Sequence, residues 1–290
     1  MGISDRMEYG RESLVEFRTN QIRPFKTLFD TIKNNLPDTS IYFSTEGMKI
    51  MQLDSASNFL VNVDLPGENF EHYYCDSASC GEGDGFIEVN LSAIHLNKAF
   101  KAYTNDDNLL RFVYEKGADR VKIILSSEKK SECRTYEIPI QNPEEQSQIA
   151  EFSGTQDFPY SLTMPCADLQ RICRDFKTHG CEKISITHDG NSLKFSAIGI
   201  VNSTIERHGN KSGGSVQFVK MPEIDENTPP YKDEFKFSTL NEFSKCQAGG
   251  DSKLVRILLS QGDPIVLYFE IGTLGTMAVA IAPHVRPEDI

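Results

Sequence analysis

Apolar residues recur at spacings of three and four in four stretches of the chain, which is the spacing of one face of an α-helix. These stretches are Ile22, Phe25, Phe29 and Ile32; Leu96, Ala99, Phe100 and Tyr103; Leu169, Ile172, Cys173 and Phe176; and the shorter pair Leu240 and Phe243. Between them the pattern is typical of strands, for example at 121–125, 135–140 and 265–271. Each half of the chain therefore predicts helix, strands, helix, strands.

The predicted strands follow one another through short turns instead of alternating singly with helices. Consecutive hairpins favour antiparallel sheets, whereas a doubly wound fold needs a helix between successive strands. We therefore predict an α+β fold with antiparallel sheets and the helices packed on one face.

The two halves also resemble each other in sequence. Residues 108–119 parallel 253–263, with Leu109, Arg111 and Gly117 matching Leu254, Arg256 and Gly262 at a shift of 145. Residues 40–47 resemble 183–190 at a shift of 143, and both segments read as a strand that ends in an acidic-Gly turn. Matching order at a nearly constant shift predicts a duplicated domain.

The domain boundaries follow from this repeat and from the polar, Pro-containing segment between its copies. We predict an N-terminal domain at 1–138 with a short N-terminal extension, a connector at 139–159 and a C-terminal domain at 160–290. Two further stretches, 76–85 and 209–234, are interpreted as surface insertions because they are rich in Gly, Ser and acidic residues.

Composition fits a globular protein of about two domains, with 290 residues, 39% hydrophobic and 25% charged. No apolar run approaches the ~20 residues that span a bilayer, and the N-terminus lacks the apolar block of a signal peptide. We expect an intracellular, water-soluble chain without a membrane partner. The seven cysteines are spread without a CxxC spacing, which favours reduced thiols.

Motifs for catalysis or cofactor binding are weak. The Gly-rich segment at 80–85 contains two carboxylates and no Lys, so it does not suit a phosphate, and 209–212 lacks the upstream Gly of a Walker loop. His72, Cys75 and Cys80 lack the further ligands of a zinc site. No nucleophile-elbow motif is present. We predict no cofactor, no metal and no catalytic residues.

Basic residues cluster opposite the apolar stripes of the predicted helices. Arg171, Arg174 and Lys177 share one side of the third helix, and Lys98 and Lys101 share one side of the second. Arg23, Lys26 and Lys33 form a sector on the first helix that Asp30 interrupts. A helix face that only contacts solvent usually carries both positive and negative charges. Segregated basic faces in a chain of net charge −12 indicate a local contact with a polyanion.

Several segments resemble the eukaryotic sliding clamps of the proliferating cell nuclear antigen family. The clearest is 164–175, MPCADLQRICRD, which resembles the start of the family's second domain. The resemblance continues through 189–190, 193–197, Leu53-Asp54-Ser55, Leu60-Val61, 89–91, 136–137 and 281–283. These landmarks lie in family order over nearly the whole chain from Leu14 onwards.

The resemblance implies a homotrimeric ring that encircles duplex DNA without reading its sequence. Helices line the hole in this family, so their basic residues would face the phosphates. The residues assigned to this DNA-facing set are Arg23, Lys26, Lys33, Lys98, Lys101, Arg171, Arg174, Lys177 and Lys245. Neighbouring subunits would join along edge strands at 134–140 and about 201–207. The interface residues assigned by the resemblance are Arg134, Tyr136, Ile138, Ile205 and Arg207.

The resemblance also implies a groove under the connector that accepts short peptides ending in aromatic residues. DNA polymerases, the clamp loader and other replication and repair proteins would bind through such peptides. The matching positions are Leu53, Leu60, Ile149, Pro264, Ala282 and Pro283. Leu53 and Leu60 are equally compatible with plain core packing.

Some positions depart from the family pattern. Ala280 replaces a large aromatic residue, Ser57-Asn58 replaces a more apolar pair, and the connector is longer, which leaves partner preference open. His188 replaces a lysine that many members modify, so that regulation is expected to be missing. The additional segments indicate a divergent member, such as a viral copy. We expect it in the nucleus, or in the viral replication compartment if it is viral.

The sequence therefore predicts a DNA sliding clamp, a polymerase processivity factor without catalytic activity. A subunit of a heteromeric checkpoint-type clamp is the alternative within the same fold. A two-domain enzyme that uses Cys or His chemistry is the alternative from a different class.

Overall fold

The computed structural model describes residues 13–80, 85–142, 158–188, 192–209, 216–222, 230–246 and 253–284. Four α-helices lie within these ranges: α1 Ile22–Ile32, α2 Ala93–Lys101, α3 Cys166–Thr178 and α4 Phe237–Ser244. Each contains one of the four predicted stretches, although Tyr103 lies beyond the end of α2. None of these helices is long and apolar enough to span a bilayer.

Eighteen strands accompany the helices in the described residues, nine in each half. Those of the first half are β1 Ser13–Thr19, β2 Asp38–Ser44, β3 Gly47–Leu53, β4 Phe59–Pro66, β5 His72–Cys75, β6 Ile87–Ser92, β7 Leu109–Glu115, β8 Arg120–Ser127 and β9 Glu132–Pro139. Those of the second half are β10 Tyr160–Pro165, β11 Cys181–His188, β12 Ser192–Gly199, β13 Ser203–His208, β14 Gln217–Lys220, β15 Tyr231–Lys236, β16 Leu254–Leu259, β17 Ile265–Ile271 and β18 Gly275–Ile281.

The two halves have the same element order and the same strand topology. The strand order β5-β1-β7-β8-β9 of the first half recurs as β14-β10-β16-β17-β18 in the second, and β4-β3-β2-β6 recurs as β13-β12-β11-β15. In both halves a helix follows the first strand and a second helix follows the sixth. The predicted duplication and the antiparallel α+β fold are therefore confirmed.

A strand pair joins the two halves into one nine-stranded sheet. β18 of the second half pairs antiparallel with β4 of the first, from Thr276 opposite Asp64 to Ile281 opposite Phe59. β18 is the last strand of one repeat, and β4 is the edge strand of the smaller sheet in the other. The equivalent strands β9 and β13 have no such partner and end their sheets.

The helices from both halves cover one face of this central sheet. The Phe243 ring of α4 lies 5.1 Å from the Phe59 ring of β4, which belongs to the other half. Gln21, directly before α1, donates to the Thr273 hydroxyl (2.6 Å) and accepts from the Thr273 backbone N–H (2.7 Å) in the β17–β18 turn. These contacts cross the joint between the halves, so the helices form one layer.

The interpretation of 209–234 as a surface insertion was wrong in part. Residues 217–220 form β14, which pairs with β10, and Tyr231 begins β15, which pairs with β11. These are the second-half equivalents of β5 and β6, so the segment contains strands of the repeated domain. Its Gly, Ser and acidic residues obscured the short strand pattern. Residues 210–215 and 223–229 lie outside the described residues.

Candidate DNA-facing helices and partner groove

The described helices carry a charge opposite to that of the chain as a whole. We count the four helices together with Lys33 and Lys245, the residues that end α1 and α4. This set contains nine basic and four acidic residues. This layer therefore has a net charge of +5, whereas the complete chain has −12. The rest of the molecule is strongly acidic, so the basic charge is concentrated on one face.

Helix α3 shows how the sequence produces this face. Its buried side is formed by Leu169, Ile172, Cys173 and Phe176, which recur at helical spacing and join the main core. The intervening positions Arg171, Arg174 and Lys177 are exposed. Arg171 forms an ion pair with Asp168 at 3.4 Å. An exposed pair of this kind is worth ~0.5 kcal/mol, so it competes only weakly with a phosphate.

The other predicted DNA-facing residues also lie on the helix layer. Arg23, Lys98, Lys101 and Lys245 are exposed, whereas Lys26 and Lys33 are half-buried. The Lys26 ammonium lies 5.8 Å from the centre of the Tyr103 ring, and Lys245 pairs with Glu242 at 2.6 Å. The structure therefore places all nine residues on one layer.

Asp30 is the acidic interruption that the sequence showed in the basic sector of α1. Its carboxylate pairs with Lys33 and accepts a hydrogen bond from the Asn97 side chain of α2 at 3.1 Å. The Lys33 ammonium holds the pKa of Asp30 below its usual value. Asp30 therefore links α1 to α2 and stays ionised at neutral pH.

The opposite face of the central sheet carries a row of apolar side chains that we call the outer ladder. In strand register, Leu53 lies opposite Leu60, Leu60 opposite Ala280, Ala280 opposite Val266, and Val266 opposite Leu258. This row crosses five strands, from β3 to β16. All but Leu53 belong to an apolar cluster separate from the main core.

Alternation along the strands explains why the sheet has two apolar faces. In β17, Ile265, Leu267, Phe269 and Ile271 belong to the main core under the helices, whereas Val266 and Tyr268 belong to the outer cluster. Successive side chains of a strand point to opposite faces, so a strand that is apolar throughout needs cover on both. Phe158, immediately after the undescribed part of the connector, is buried against the outer cluster.

Small residues lie at the centre of the outer cluster. In strand register Ala280 lies between Leu60 and Val266, and Ala278 lies opposite Tyr268. Desolvation raises the pKa of the Tyr268 phenol above its usual value. The outer cluster is therefore apolar along the whole ladder.

Five of the six predicted groove residues lie in the described structure, and all five are half-buried. Leu53 and Leu60 belong to the outer ladder, and Pro264 and Ala282 extend the β17–β18 hairpin by one position on each side. The Ala282 backbone N–H donates to the Asn58 carbonyl at 2.8 Å, and Pro283 forms a bridge with Phe235. Ile149 lies outside the described residues.

Sequence reasoning missed five members of the outer cluster, namely Leu258, Val266, Tyr268, Ala278 and Phe158. One signal could have found some of them. In the segment 265–271, IVLYFEI, apolar residues occupy both odd-numbered and even-numbered positions, which indicates a strand covered on both faces.

The predicted interface residues lie on two of the strands that end the sheets, β9 and β13. Arg134, Tyr136 and Ile138 are on β9, and Ile205 and Arg207 are on β13. Ile138 is buried in the main core, and the Arg134 side chain faces its own chain, where it binds Asp107. The Nε and Nη2 atoms of Arg207 are buried without a hydrogen-bond partner in the described part of the chain.

Two family models match the chain. The N-terminal domain of proliferating cell nuclear antigen matches residues 14–148, and its C-terminal domain matches residues 154–284. The chain belongs to the proliferating cell nuclear antigen family. The two models meet near the connector that separates the two topological repeats.

Two curated relatives agree with this assignment over nearly their whole length. The chain is 28% identical over 274 residues to "Proliferating cell nuclear antigen" of Dictyostelium discoideum, covering 94% of this chain and 100% of the relative. It is 24% identical over 274 residues to "Probable DNA polymerase sliding clamp 1" of Paramecium bursaria Chlorella virus 1, covering 93% and 97%. A relative from a cellular organism and a relative from a virus are thus both similar to the chain.

His188, which the resemblance matches to a modified lysine of the family, is buried in the structure. Its ring packs 4.6 Å from the Phe218 ring and 5.1 Å from the Tyr160 ring. The side chain therefore contributes to packing between β11, β14 and β10. Among the described residues no group of three or more His, Cys, Asp or Glu side chains could hold a metal ion.

Proposed function

We propose that the protein is a DNA sliding clamp, a ring-forming processivity factor that encircles duplex DNA and holds replication enzymes by their peptides. The observation that carries the proposal is the joint between the two halves, where β18 pairs with β4, whereas the equivalent strands β9 and β13 each have one edge without a neighbouring strand in the described structure. The basic helix layer covers one face of the sheet and would face DNA. The outer cluster lies on the other face and would form the outer groove, which binds peptides.

The ring follows from repeating the internal joint between chains. If β9 of one subunit pairs with β13 of the next as β18 pairs with β4, each subunit contributes one copy of each edge. Such a head-to-tail contact gives a closed ring when the rotations between successive subunits add up to one full turn. It also pairs backbone groups that an exposed edge leaves open. The family assignment supports three subunits, which gives six similar repeats.

The chemistry of β13 supports this contact. Ile200 and Val201, directly before β13, are 87% and 50% exposed, which is unusual for large apolar side chains. Packing against the next subunit would remove these two side chains from water.

The helix layer would then line the hole. Lys and Arg side chains that face phosphates bind DNA without reading its sequence, and the contact weakens as salt rises. The acidic remainder of the molecule would repel DNA from the outside of the ring. DNA could therefore slide through the hole without adhering to the rim.

The outer groove would bind peptides of DNA polymerase, the clamp loader and other replication and repair proteins. Short apolar and aromatic anchors fit its alanine-floored centre, and its extended edge could pair with a peptide backbone. This role needs no catalytic group, so we propose a non-catalytic scaffold. The same two relatives support a site of action in the nucleus or in a viral replication compartment.

Assembly tests the proposal. Ile200→Asp should reduce the assembled mass to that of a monomer in light scattering, because it places a carboxylate in the subunit contact. Val219→Asp is the matched control, since Val219 is 63% exposed on the unrelated edge strand β14. The control should retain the wild-type mass. Dissociation by both variants, or by neither, would contradict the proposed contact. A wild-type chain that stays monomeric alone would favour a heteromeric checkpoint-type clamp.

A further inference from the structure

Two thiols meet at the outer edge of the five-stranded sheet. Cys75 is the last residue of β5, and Cys80 follows it after a four-residue loop. Their Sγ atoms are 3.9 Å apart, and both cysteines are free thiols. β5 has only β1 as a neighbour in the sheet, so this pair lies at an edge.

The loop between them is folded by its own hydrogen bonds. The Asp76 carboxylate accepts from the Ala78 backbone N–H at 3.2 Å and from the Ser79 hydroxyl at 2.5 Å. The Ser79 N–H also donates to the Asp76 carbonyl at 3.1 Å, and the Asp76 N–H donates to Leu14 of β1 at 2.8 Å. These bonds return the chain to β5 and hold Cys80 beside Cys75.

The two thiols differ in exposure. Cys75 is 8% exposed in the main core, and burial, with a further contribution from Cys80, raises its pKa to about 12. Cys80 is half-buried at the edge of that core. Because thiolates rather than thiols attack disulfides, the more accessible Cys80 is the group that an external oxidant would meet first.

We propose that Cys75 and Cys80 form a reversible intramolecular disulfide, with a small-molecule disulfide as the oxidant. The Cys80 thiolate attacks the oxidant, breaks its S–S bond and releases one thiolate of the oxidant. Cys75 then loses its proton to solvent, attacks Cys80 Sγ and displaces the second thiolate. The two protein thiols lose two electrons and two protons, and the oxidant becomes two thiols.

The geometry suits this step. The sulfur atoms must move from 3.9 Å to about 2.05 Å, a change that the loop at 76–80 can absorb because its middle residues, 77–79, are exposed. The closed loop would tie residues 76–80 to the edge strand. Because a disulfide restricts the unfolded chain, the oxidised form should melt about 5 °C above the reduced form.

The test uses the full-length protein in glutathione buffers of increasing oxidised fraction. Peptide mapping should show a Cys75–Cys80 link with loss of two hydrogens and no glutathione on either of these two cysteines. Cys75→Ser should keep a stable glutathione adduct on Cys80, whereas Cys80→Ser should leave Cys75 reduced. Cys133→Ser, which removes an exposed thiol elsewhere, should oxidise like the wild type.

Three results would overturn the proposal. These are two reduced thiols in the most oxidising buffer, a persistent glutathione adduct on wild-type Cys80, or a link between other cysteines. None depends on ring assembly, so failure of the sliding-clamp proposal leaves this test intact.

Discussion

The contact between Arg134 and Asp107 shows how one residue can have a role that the sequence did not indicate. Arg134 Nη2 lies 2.5 Å and 2.6 Å from the two carboxylate oxygens of Asp107, and Nη1 donates to the Ala102 carbonyl at 2.6 Å. The Asp107 side chain is 1% exposed. Arg134 was assigned to the subunit interface by resemblance, but its guanidinium anchors β9 to the end of α2.

Replacing this guanidinium should destabilise the folded protein. Arg134→Leu leaves the Asp107 carboxylate buried without its cation, which costs about 3 kcal/mol in the free energy of unfolding. Urea denaturation at pH 7 measures this loss. Arg120→Leu, a change at an exposed arginine on the neighbouring strand β8, is the control and should change stability little. Equal effects of the two variants would contradict the role of Arg134.

The same contact predicts a pH dependence. Burial opposes ionisation of Asp107, but the hydrogen bonds from Arg134 and Thr104 outweigh it and hold the pKa of Asp107 below its usual value. Its stabilising effect is therefore present above the unfolded pKa of about 3.9 and is lost as pH falls through the folded pKa. In Arg134→Leu, protonation of Asp107 removes the unpaired buried charge, so the variant is destabilised less at low pH. The stability gap between wild type and variant should narrow from pH 7 to pH 4; a constant gap would argue against this explanation.

At the scale of elements, periodicity in the sequence predicted the helices and most strands. Apolar spacing located α1, α3 and α4 because each packs one stripe against the core. The method failed at β14, which is four residues long between polar segments and has too few side chains for a pattern. Pairing with β10 defines this strand, and pairing is a property of the folded chain.

Helix α3 carries the prediction for DNA. Replacing Arg171, Arg174 and Lys177 with Ala should weaken clamp-dependent DNA synthesis and flatten its salt dependence. Each lost phosphate contact lowers the slope of log K against log salt by about 0.9. The charge-matched control replaces Arg120, Lys129 and Lys232, which are exposed on strands or turns. Light scattering should show the same assembled mass for both variants. A triple α3 variant with unchanged processivity would contradict the DNA-facing assignment.

The outer ladder carries the prediction for partners. Leu60→Ser should weaken the binding of a partner peptide about tenfold, because it removes an apolar side chain at the edge of the alanine-floored centre. Calorimetry with a polymerase-derived peptide measures the affinity. Leu254→Ser is the control, since Leu254 is 44% exposed on β16 but outside the outer cluster. If both variants bind the peptide as the wild type does, the groove is not the peptide site.

For the whole molecule, the sequence predicted the duplication but not how its copies join. Matches such as Leu109 with Leu254 showed two similar units, because each copy keeps the apolar positions of its own core. The joint uses backbone hydrogen bonds between β18 and β4, and such bonds leave little trace in side-chain identity. Only the structure shows that one joint is made within the chain and that its equivalent, β9 with β13, is open.

The central claim is that this open joint closes between chains into a ring. Electron microscopy of the purified protein, with averaging of single particles, tests it most directly. We expect a particle of about three times 32.6 kDa with threefold symmetry and a central hole lined by the helix layer. Particles without a hole, or a protein that remains a single chain at micromolar concentration, would contradict it.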